Sequence, residues 1–518
     1  MFEALGRVAF RRRWWVIAAA VAFLAFAGGW GTGVFGSLTG AGFDDPGSDS
    51  YRAAERAAAE LGRDDADVVV LYRSPDRTVD DPAFRQAVTG TLAALPADVV
   101  ERTTTYYSTG AAGLVSEDRR GTYAVLVLRG DEEQRTEGLE AIEDQLAAPG
   151  LETGIGGQVT VGRDIEERIG ADIARAEMLS LPVLLVLLVV IFGSVVAAGL
   201  PLAIGVLAIL GAFTALRLFT LVTDVSVFAV NVITILGLGL AIDYGLFVVG
   251  RFREELRRGL STEDAVVRTM ATAGRTVAVS GLTVAIALAG LLIFPQVFLR
   301  SMGFGGMAAV LVAMAAALTL LPALLSVLGP RVDALPVRRR SRRAVRPAGE
   351  GMWARIARSV MRRPVIYAVS VVAVLLALGL PFLRVTFGGI DARALPAGTE
   401  SRVVDETLAR DFPAAGTSPV EAVVTLPAGA GPTALRGWVD AAGAVDGVTA
   451  ATVTGQAGGT AGVRLDLAGD PISAEARGVV RALRELPPPA GGEVLVGGRT
   501  AELVDLLASI GGLLPWMA

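Results

Sequence analysis

The stretch VSVFAVNVITILGLGLAIDYGLFVVGR occupies residues 225–251, and Asp243 is its one charged residue between Val225 and Val249. The hydrocarbon core of a bilayer is about 30 Å thick and is crossed by about 20 mainly apolar residues in an α-helix. The stretch therefore predicts a transmembrane helix that carries a carboxylic acid in its interior.

The overall composition is also that of a membrane protein. The 518 residues have a mean hydropathy of +0.55, and 53% are hydrophobic and 19% charged, against about 25% charged residues in an average soluble protein. Cys, His and Lys do not occur, so all 47 basic residues are Arg. Such a chain has no disulfide, no usual zinc site, no thiol nucleophile and no Walker A lysine. The sequence therefore predicts no metal, no cofactor and no enzymatic or ATPase activity.

Further apolar runs of this length bring the number of predicted spans to seven. The first run follows Arg11-Arg12-Arg13 and is longer than the apolar part of a signal peptide. Residues 178–216 carry no charge and can hold two helices, which we expect to meet at Gly199-Leu200-Pro201. The spans are predicted at Trp14–Gly33, twice within 178–216, and at Val225–Val249, Thr276–Phe294, Phe304–Leu328 and Pro364–Leu383.

The distribution of arginine predicts the orientation. The 331–363 linker holds eleven Arg against two acids, and the 251–275 loop holds six Arg against four. Residues 41–178 contain 28 acids and 14 Arg, and residues 385–510 contain 15 acids and 9 Arg. Because positively charged loops stay in the cytoplasm, we expect a cytoplasmic N-terminus and two exterior segments. Their acidity is typical of a solvated exterior surface, and cation binding is the alternative.

Each exterior segment alternates strands and helices in the pattern of a ferredoxin-like (βαββαβ) layer of helices on a sheet. In the first segment, strands are predicted at Ala66–Arg73 and Thr122–Arg129, helices near 82–95 and 132–147, and a short closing strand at Gln158–Val161. In the second, strands are predicted at Val420–Leu426, Val463–Leu467 and Glu493–Val496, and helices near 432–444 and 474–486.

The two halves of the chain resemble each other. Pro46–Ser50 is matched by Pro396–Ser401, and Gln158–Gly162 by Glu493–Gly497. An offset of about 335–350 residues is typical of duplicated transporter halves. The second copy stops where the first enters its second span, so we expect five further spans in an intact protein.

These patterns predict a polytopic α-helical membrane protein with two exterior α+β domains. Its parts are the cytoplasmic N-terminus and span one (1–40), the first exterior domain (41–177), spans two to six (178–330), an Arg-rich cytoplasmic linker (331–363), span seven (364–384), the second exterior domain (385–510) and the start of span eight (511–518).

Asp243 is the strongest functional signal. A charged Asp at the centre of a membrane helix costs about 2.5–3.5 kcal/mol on insertion scales, so it is expected to face a partner or a water-filled cavity. The bilayer favours the neutral acid, and an acid that takes up and releases a proton can drive a conformational cycle. Tyr244 adds a hydroxyl that donates or accepts. The alternative is an Asp that stays protonated or is hydrogen-bonded to a neighbouring helix.

Two further groups of residues are predicted to surround this acid. Small residues spaced by four form a predicted helix-packing ridge, and they are Gly237, Ala241 and Gly245. Ser280 and Thr283 open span five and are candidates to hydrogen-bond toward Asp243, although membrane hydroxyls often bond to their own helix instead.

These residues resemble the signature of a known family. The string GLGLAIDYGLFVVGRFREE at 237–255 is similar to the fourth-span motif of MMPL (mycobacterial membrane protein large) transporters, which belong to the resistance–nodulation–division (RND) superfamily. Ala273–Thr283 resembles the opening of the family's fifth span, and Leu321–Leu324 the end of its sixth. The order of spans and exterior domains is similar over essentially the whole chain, and the exterior "porter" domains match mainly in layout.

The resemblance implies an exporter of lipids, glycolipids or hydrophobic drugs in the bacterial plasma membrane, driven by inward proton flow. Asp243 and Tyr244 match the family's proton-relay positions, and Ser280 matches a hydrogen-bond partner beside them. The family has a second Asp–Tyr pair on span ten, which this sequence does not include. The implied partners are a lipid or hydrophobic substrate, protons, membrane lipids, and other copies or cell-envelope proteins, without nucleic acid. The alternative function is a non-transporting protein that binds lipids or sterols, or assists translocation, on the same scaffold.

Overall fold

The structure is a computed structural model that describes residues 1–40, 42–63, 66–336, 352–385, 388, 391–412, 419–427 and 432–517. Within these residues, seven helices are long and apolar enough to cross a bilayer. The two segments predicted to be exterior each form a four-stranded sheet. The prediction of a polytopic helical protein with two α+β domains is therefore confirmed. Part of the predicted Arg-rich linker, residues 337–351, lies outside the described residues.

The helices and strands of the described chain follow one another in two similar series. The helices of the first series are α1 (Phe2–Arg11), α2 (Arg13–Gly29), α3 (Asp49–Glu60), α4 (Pro82–Ala93), α5 (Tyr106–Thr109), α6 (Glu132–Ile142), α7 (Gln158–Phe192), α8 (Val195–Phe219), α9 (Phe228–Arg257), α10 (Thr262–Thr269), α11 (Arg275–Ala289) and α12 (Val297–Leu328). Those of the second are α13 (Met352–Arg362), α14 (Pro364–Gly379), α15 (Glu400–Asp411), α16 (Pro432–Gly443), α17 (Ala474–Glu485) and α18 (Arg499–Met517). The strands are β1 (Val68–Arg73), β2 (Val100–Thr104), β3 (Gly121–Leu128), β4 (Glu152–Gly156), β5 (Val420–Thr425), β6 (Val448–Ala457), β7 (Thr460–Leu467) and β8 (Glu493–Gly497).

The predicted junction between the second and third spans is wrong. α7 ends at Gly193, whose φ of 67° suits glycine, and α8 follows Ser194, whose side chain accepts a hydrogen bond from the Ala197 amide. Pro201, which was expected at the junction, lies inside α8 and packs against Gly245 of α9. A membrane helix tolerates a proline that neighbouring helices support, so the left-handed glycine ends the helix instead.

Both sheets have the predicted ferredoxin-like topology. Their strand orders are β2-β3-β1-β4 and β6-β7-β5-β8, with antiparallel neighbours throughout. Each sheet packs one face on two helices of its own segment, α4 and α6 in the first domain and α16 and α17 in the second. The edge strands β2 and β6 are largely exposed and were not predicted, because they lack a buried apolar pattern.

The predicted closing strand at Gln158–Val161 is wrong. The closing strand is β4, and α7 begins at Gln158. Gly157 separates them with a φ of 101°, and a Cβ there would lie 2.7 Å from the Asp67 carbonyl oxygen, so only glycine fits. The internal match must therefore be corrected as well, because Glu152–Gly156, and not Gln158–Gly162, corresponds to β8.

The opposite face of each sheet is covered by a helix from the other segment. Val404 of α15 and Phe412, the residue that follows this helix, pack on Leu71 of the first sheet. Reciprocally, Ala53 of α3 packs on Val423 of the second sheet. The two exterior domains have thus exchanged a helix, and neither has both faces covered by its own residues.

The membrane core consists of α8, α9 and α12, which pack on one another. Small residues permit this close packing: a Cβ on Gly305 of α12 would lie 3.0 Å from the Ala229 carbonyl oxygen of α9. α2 packs on α8 and α12, and α1 packs on α10 and α12. α14, the seventh span, buries none of its residues within the described chain.

Candidate functional site

Asp243 lies on the outer surface of the helix bundle, and Tyr244, the next residue, lies inside the bundle. Successive residues of an α-helix are about 100° apart, and on α9 this leaves Asp243 exposed and Tyr244 buried, with 4% of its surface accessible. Tyr244 belongs to the core between α8, α9 and α12. No hydrogen bond or ion pair reaches the Asp243 carboxylate from the residues that the structure describes. The acid is therefore open to a proton or to a group approaching this face of α9.

Ser280 of α11 lies near Tyr244. Val277, one turn earlier on α11, is buried in the same core cluster as Tyr244, and the Ser280 side chain acts electrostatically on the tyrosine. Within the described residues, however, the buried Tyr244 hydroxyl has no hydrogen-bond partner. A buried hydroxyl without a partner costs about 1–3 kcal/mol. A hydrogen bond from the Ser280 hydroxyl would remove this cost.

Thr283, one turn further along α11, is not brought to the acid. Its hydroxyl donates to the Val279 carbonyl oxygen of the same helix at 2.9 Å. The Thr283 hydroxyl could bond toward Asp243 or to its own helix, and in the structure it bonds to its own helix.

The small residues of α9 face α8. A Cβ on Gly245 would lie 2.7 Å from Cγ of Pro201, and one on Gly237 would lie 3.2 Å from Cγ1 of Ile209. Ala241, between these glycines, is fully buried. These contacts fix the side of α9 that faces the core and thereby the exposed position of Asp243.

An open cavity of about 350 Å³ begins one turn beyond Asp243, toward the C-terminal end of α9. Leu246, Phe247, Arg251 and Glu254 line it. Arg251 donates to Glu254 at 2.8 Å and also pairs with the buried Glu255. The cavity therefore joins the exposed face that carries Asp243 to a charged cluster at the end of the helix.

Arg217, near the C-terminal end of α8, caps the first span. Its guanidinium lies 4.6 Å from the centre of the Trp30 ring and donates to the Trp30 carbonyl oxygen. A cation at a helix C-terminus satisfies the free carbonyl groups and complements the helix dipole. The contact joins α2 to α8 at one boundary of the membrane domain.

A polar chain joins α12 to the exterior domains at the same boundary. Gln296, which is fully buried, donates to the Ser509 hydroxyl of α18 at 2.9 Å, and Ser509 donates to Asp45 at 2.7 Å. Phe43, two residues before Asp45, packs on Phe298 of α12. The helix that leaves the second exterior domain and the segment that enters the first are therefore both attached to the start of α12.

These features define a class of protein. In the part of the chain that the structure describes, seven helices are long enough to span a membrane, one of them carries an exposed acid, and two domains have the βαββαβ topology. This is the architecture of an RND-type membrane protein. The chain belongs to the MMPL family, whose family model matches residues 42–367.

Curated relatives agree with this assignment. The chain is 40% identical over 530 residues to a membrane protein of Streptomyces coelicolor, covering 100% of the chain and 72% of that protein. It is 34% identical over 461 residues to the trehalose monomycolate exporter MmpL3 of Mycobacterium tuberculosis, covering 82% of the chain and 48% of the exporter. It is 31% identical over 271 residues to the mycolic acid-containing lipids exporter MmpL11 of Mycolicibacterium smegmatis, covering 52% and 28%. The chain thus spans about half the length of MmpL3.

Proposed function

We propose that this protein functions in the proton-driven export of lipids or hydrophobic molecules across the bacterial plasma membrane. The observation that carries the proposal is the Asp243 carboxylate, open on a membrane helix beside a buried tyrosine hydroxyl. The cargo class follows from the relatives, two of which are named as exporters of trehalose monomycolate and of mycolic acid-containing lipids.

In the proposed mechanism Asp243 alternates between charged and neutral forms. The neutral acid can approach apolar surroundings that exclude the carboxylate, so protonation changes which face of α9 is stable against its neighbours. One proton that moves down a potential of 100 mV supplies about 2.3 kcal/mol. In this mechanism the hydrogen bond between the Tyr244 and Ser280 hydroxyls forms or breaks as α9 moves relative to α11.

Two continuous connections would carry the movement to the exterior domains. α7 extends over 35 residues from the end of β4 to Gly193, so displacement of its membrane part reaches the first sheet directly. The contact of Gln296 with Ser509 connects α12, which packs on α9, to the second exterior domain. In this proposal the exterior domains hold the lipid after it leaves the membrane, and the N-terminus is cytoplasmic.

The test is proton flux in liposomes that contain the protein at its natural length. A pH-sensitive dye inside the vesicles reports flux when trehalose monomycolate is supplied as the probe cargo. Asp243→Asn should abolish the cargo-dependent flux at unchanged protein level. Asp224→Asn, which changes an exposed acid in the loop before α9, is the matched control and should retain it.

Two results would contradict the proposal. Cargo-dependent flux in Asp243→Asn at the wild-type rate would exclude this residue as the relay. Binding of the lipid by the wild-type protein without any cargo-dependent flux would favour the alternative function, a lipid-binding protein on the same scaffold.

A further inference from the structure

The helical segment that carries Ser280 contains one turn of π-helix. Met270–Gly274 forms a π-turn between α10 and α11, within a helical stretch that continues from Thr262 to Ile293. In a π-turn the backbone N–H and C=O groups that form hydrogen bonds are five residues apart, compared with four in an α-helix, so the turn contains one extra residue. If the same residues formed a regular α-helix, all the side chains after Gly274 would be rotated by about 100° around the helix axis.

Threonine hydroxyls accompany the widened turn. Thr272 donates from Oγ1 to the Arg268 carbonyl oxygen at 2.9 Å, and the Thr269 carbonyl oxygen lies at 3.3 Å from the same hydroxyl. A side-chain hydroxyl can hydrogen-bond to backbone carbonyl groups that a helix irregularity leaves less well paired. Thr272 therefore supplies such a bond at the π-turn.

The N-terminal helix lies directly on this segment. A Cβ on Gly6 of α1 would lie 3.0 Å from Cα of Val267 and 3.2 Å from Cβ of Met270. Gly6 and Ala9 are the buried residues of α1, and Met270 is itself fully buried. The two helices thus touch at backbone distance where the π-turn begins, and α1 braces it.

The rotation of α11 after the π-turn decides which residue meets Tyr244. Gly281 packs on α12, where a Cβ would lie 2.8 Å from the Met314 sulfur, and Val277, one turn before Ser280, is buried in the same core cluster as Tyr244. These two contacts set the rotation of α11 that brings Ser280 near Tyr244. A shift by one residue would bring Val279 or Gly281 to that place. Neither residue has a hydroxyl, so the hydroxyl pair exists only with the extra residue accommodated in the π-turn.

We propose that the π-turn at Met270–Gly274, braced by α1, positions Ser280 against Tyr244. Gly6, Met270 and Thr272 are accordingly positioning residues, which act on the site through the rotation of α11. The importance of Ser280 for transport rests on the proposed function, whereas the positioning itself can be measured without transport.

The measurement is cross-linking of the two positions in native membranes. The chain contains no cysteine, so Tyr244→Cys with Ser280→Cys introduces the only thiol pair for a short bifunctional thiol reagent. Deletion of Ala271 removes the extra residue within the π-turn and should leave the yield unchanged, because the turn becomes regular without rotating α11. Deletion of Ala278, in the regular part of α11, is the matched control. It should reduce the yield to that of a Tyr244→Cys, Val279→Cys pair.

A second pair of variants tests the brace. Gly6→Leu should lower the cross-linking yield, and Arg7→Leu, on the exposed side of α1, should not. In the Ala271 deletion Gly6→Leu should have no effect on the yield, since no π-turn remains to be held. This dependence separates positioning from general damage to the fold, which would appear in both backgrounds.

The proposal is overturned if deleting Ala271 lowers the yield as much as deleting Ala278, or if the starting pair does not cross-link. Failure of the proposed function would look different. Ser280→Ala would then leave proton flux unchanged while the cross-linking results stayed as expected.

Discussion

The hydroxyl of Ser401 in α15 donates a hydrogen bond to Asp164 in α7 at 2.5 Å. In the other half of the chain, the amide of Ser50 in α3 donates to Asp505 in α18 at 3.0 Å. Each serine is the second residue of an exchanged helix, and each aspartate is the seventh residue of the helix that leaves a sheet. The two exterior domains are therefore joined by contacts at equivalent positions of the two halves of the chain.

Removing the charge at these aspartates should loosen the exterior domains. A hydrogen bond to a charged group contributes about 1.5–3 kcal/mol, so Asp164→Asn and Asp505→Asn should each lower the thermal unfolding temperature of the purified protein. Asp505 should show the larger loss, because it also accepts two hydrogen bonds from Arg484. Asp172→Asn changes an exposed acid of α7 and serves as the control. Equal effects at all three sites would contradict the assignment.

A side chain at Gly156 should displace α15 from the first sheet. A Cβ there would lie 2.8 Å from Cγ1 of Val404, and overpacking of this kind costs about 1–3 kcal/mol. Gly156→Ala should therefore destabilise the protein in thermal unfolding, and adding Val404→Ala should recover part of the loss. Gly170→Ala, in open space inside α7, should not destabilise the protein, because alanine favours the helix more than glycine does. A double variant no more stable than the sum of its single changes would speak against direct contact.

The contacts between the exterior domains should resist mild acid. The hydrogen bond from Arg56 lowers the pKa of Glu493, and those from Arg410 and Arg73 lower the pKa of Asp411. A carboxyl whose pKa is lower in the folded protein stabilises it above the unfolded pKa, about 3.9–4.3, and loses this effect as the pH falls through the folded pKa. Unfolding temperatures should thus be insensitive to these groups between about pH 5 and 8. A loss of stability within that range that disappears in Glu493→Gln would contradict the prediction.

Arg217 should stabilise the first span through geometry as well as charge. Replacing it by Ala removes both the cation–π contact with Trp30 and the cap on its carbonyl group, which together should cost about 1–2 kcal/mol. Arg217→Lys keeps the charge without the planar stacking and should fall between Ala and wild type in thermal unfolding. Arg175→Ala, on the exposed surface of α7, should change little. A lysine variant as stable as wild type would show that charge alone suffices.

The membrane spans and most strands were predictable because their signals are local. A charge-free run identifies a span wherever it lies, and Val-rich stretches such as β1 and β5 identify buried strands. The errors arose where two local signals competed. Pro201 is a stronger helix breaker than Gly193 in water but not in a helix bundle. Glu152–Gly156 contains two glycines next to its β-branched residues, whereas the start of α7 contains Val-Thr-Val, so this second stretch was preferred as the closing strand.

Other features could not be predicted from local pattern. The exchange of α3 and α15 depends on which sheet each helix packs against. Ala53 and Val404 are ordinary apolar residues, and nothing in the local sequence indicates whether they contact their own sheet or that of the other segment. The π-turn is a property of backbone pairing that the residues Met270–Gly274 do not signal on their own. For the site, the motif predicted Asp243 and Tyr244 as neighbours in sequence, while the exposure of one and the burial of the other emerged only from the packing of α9 on α8.

The exchange of helices also has a consequence for biosynthesis. The Ile155 amide and the Glu400 side chain that accepts its hydrogen bond are 245 residues apart in the chain. At ribosomal rates of about 5–20 residues per second, roughly 12–50 s pass between the synthesis of the first sheet and that of the helix that covers it. During this interval Leu71 and its neighbours on the first sheet have no helix to cover them. Folding of the first α+β domain therefore finishes only after the helix from the second segment has been synthesised.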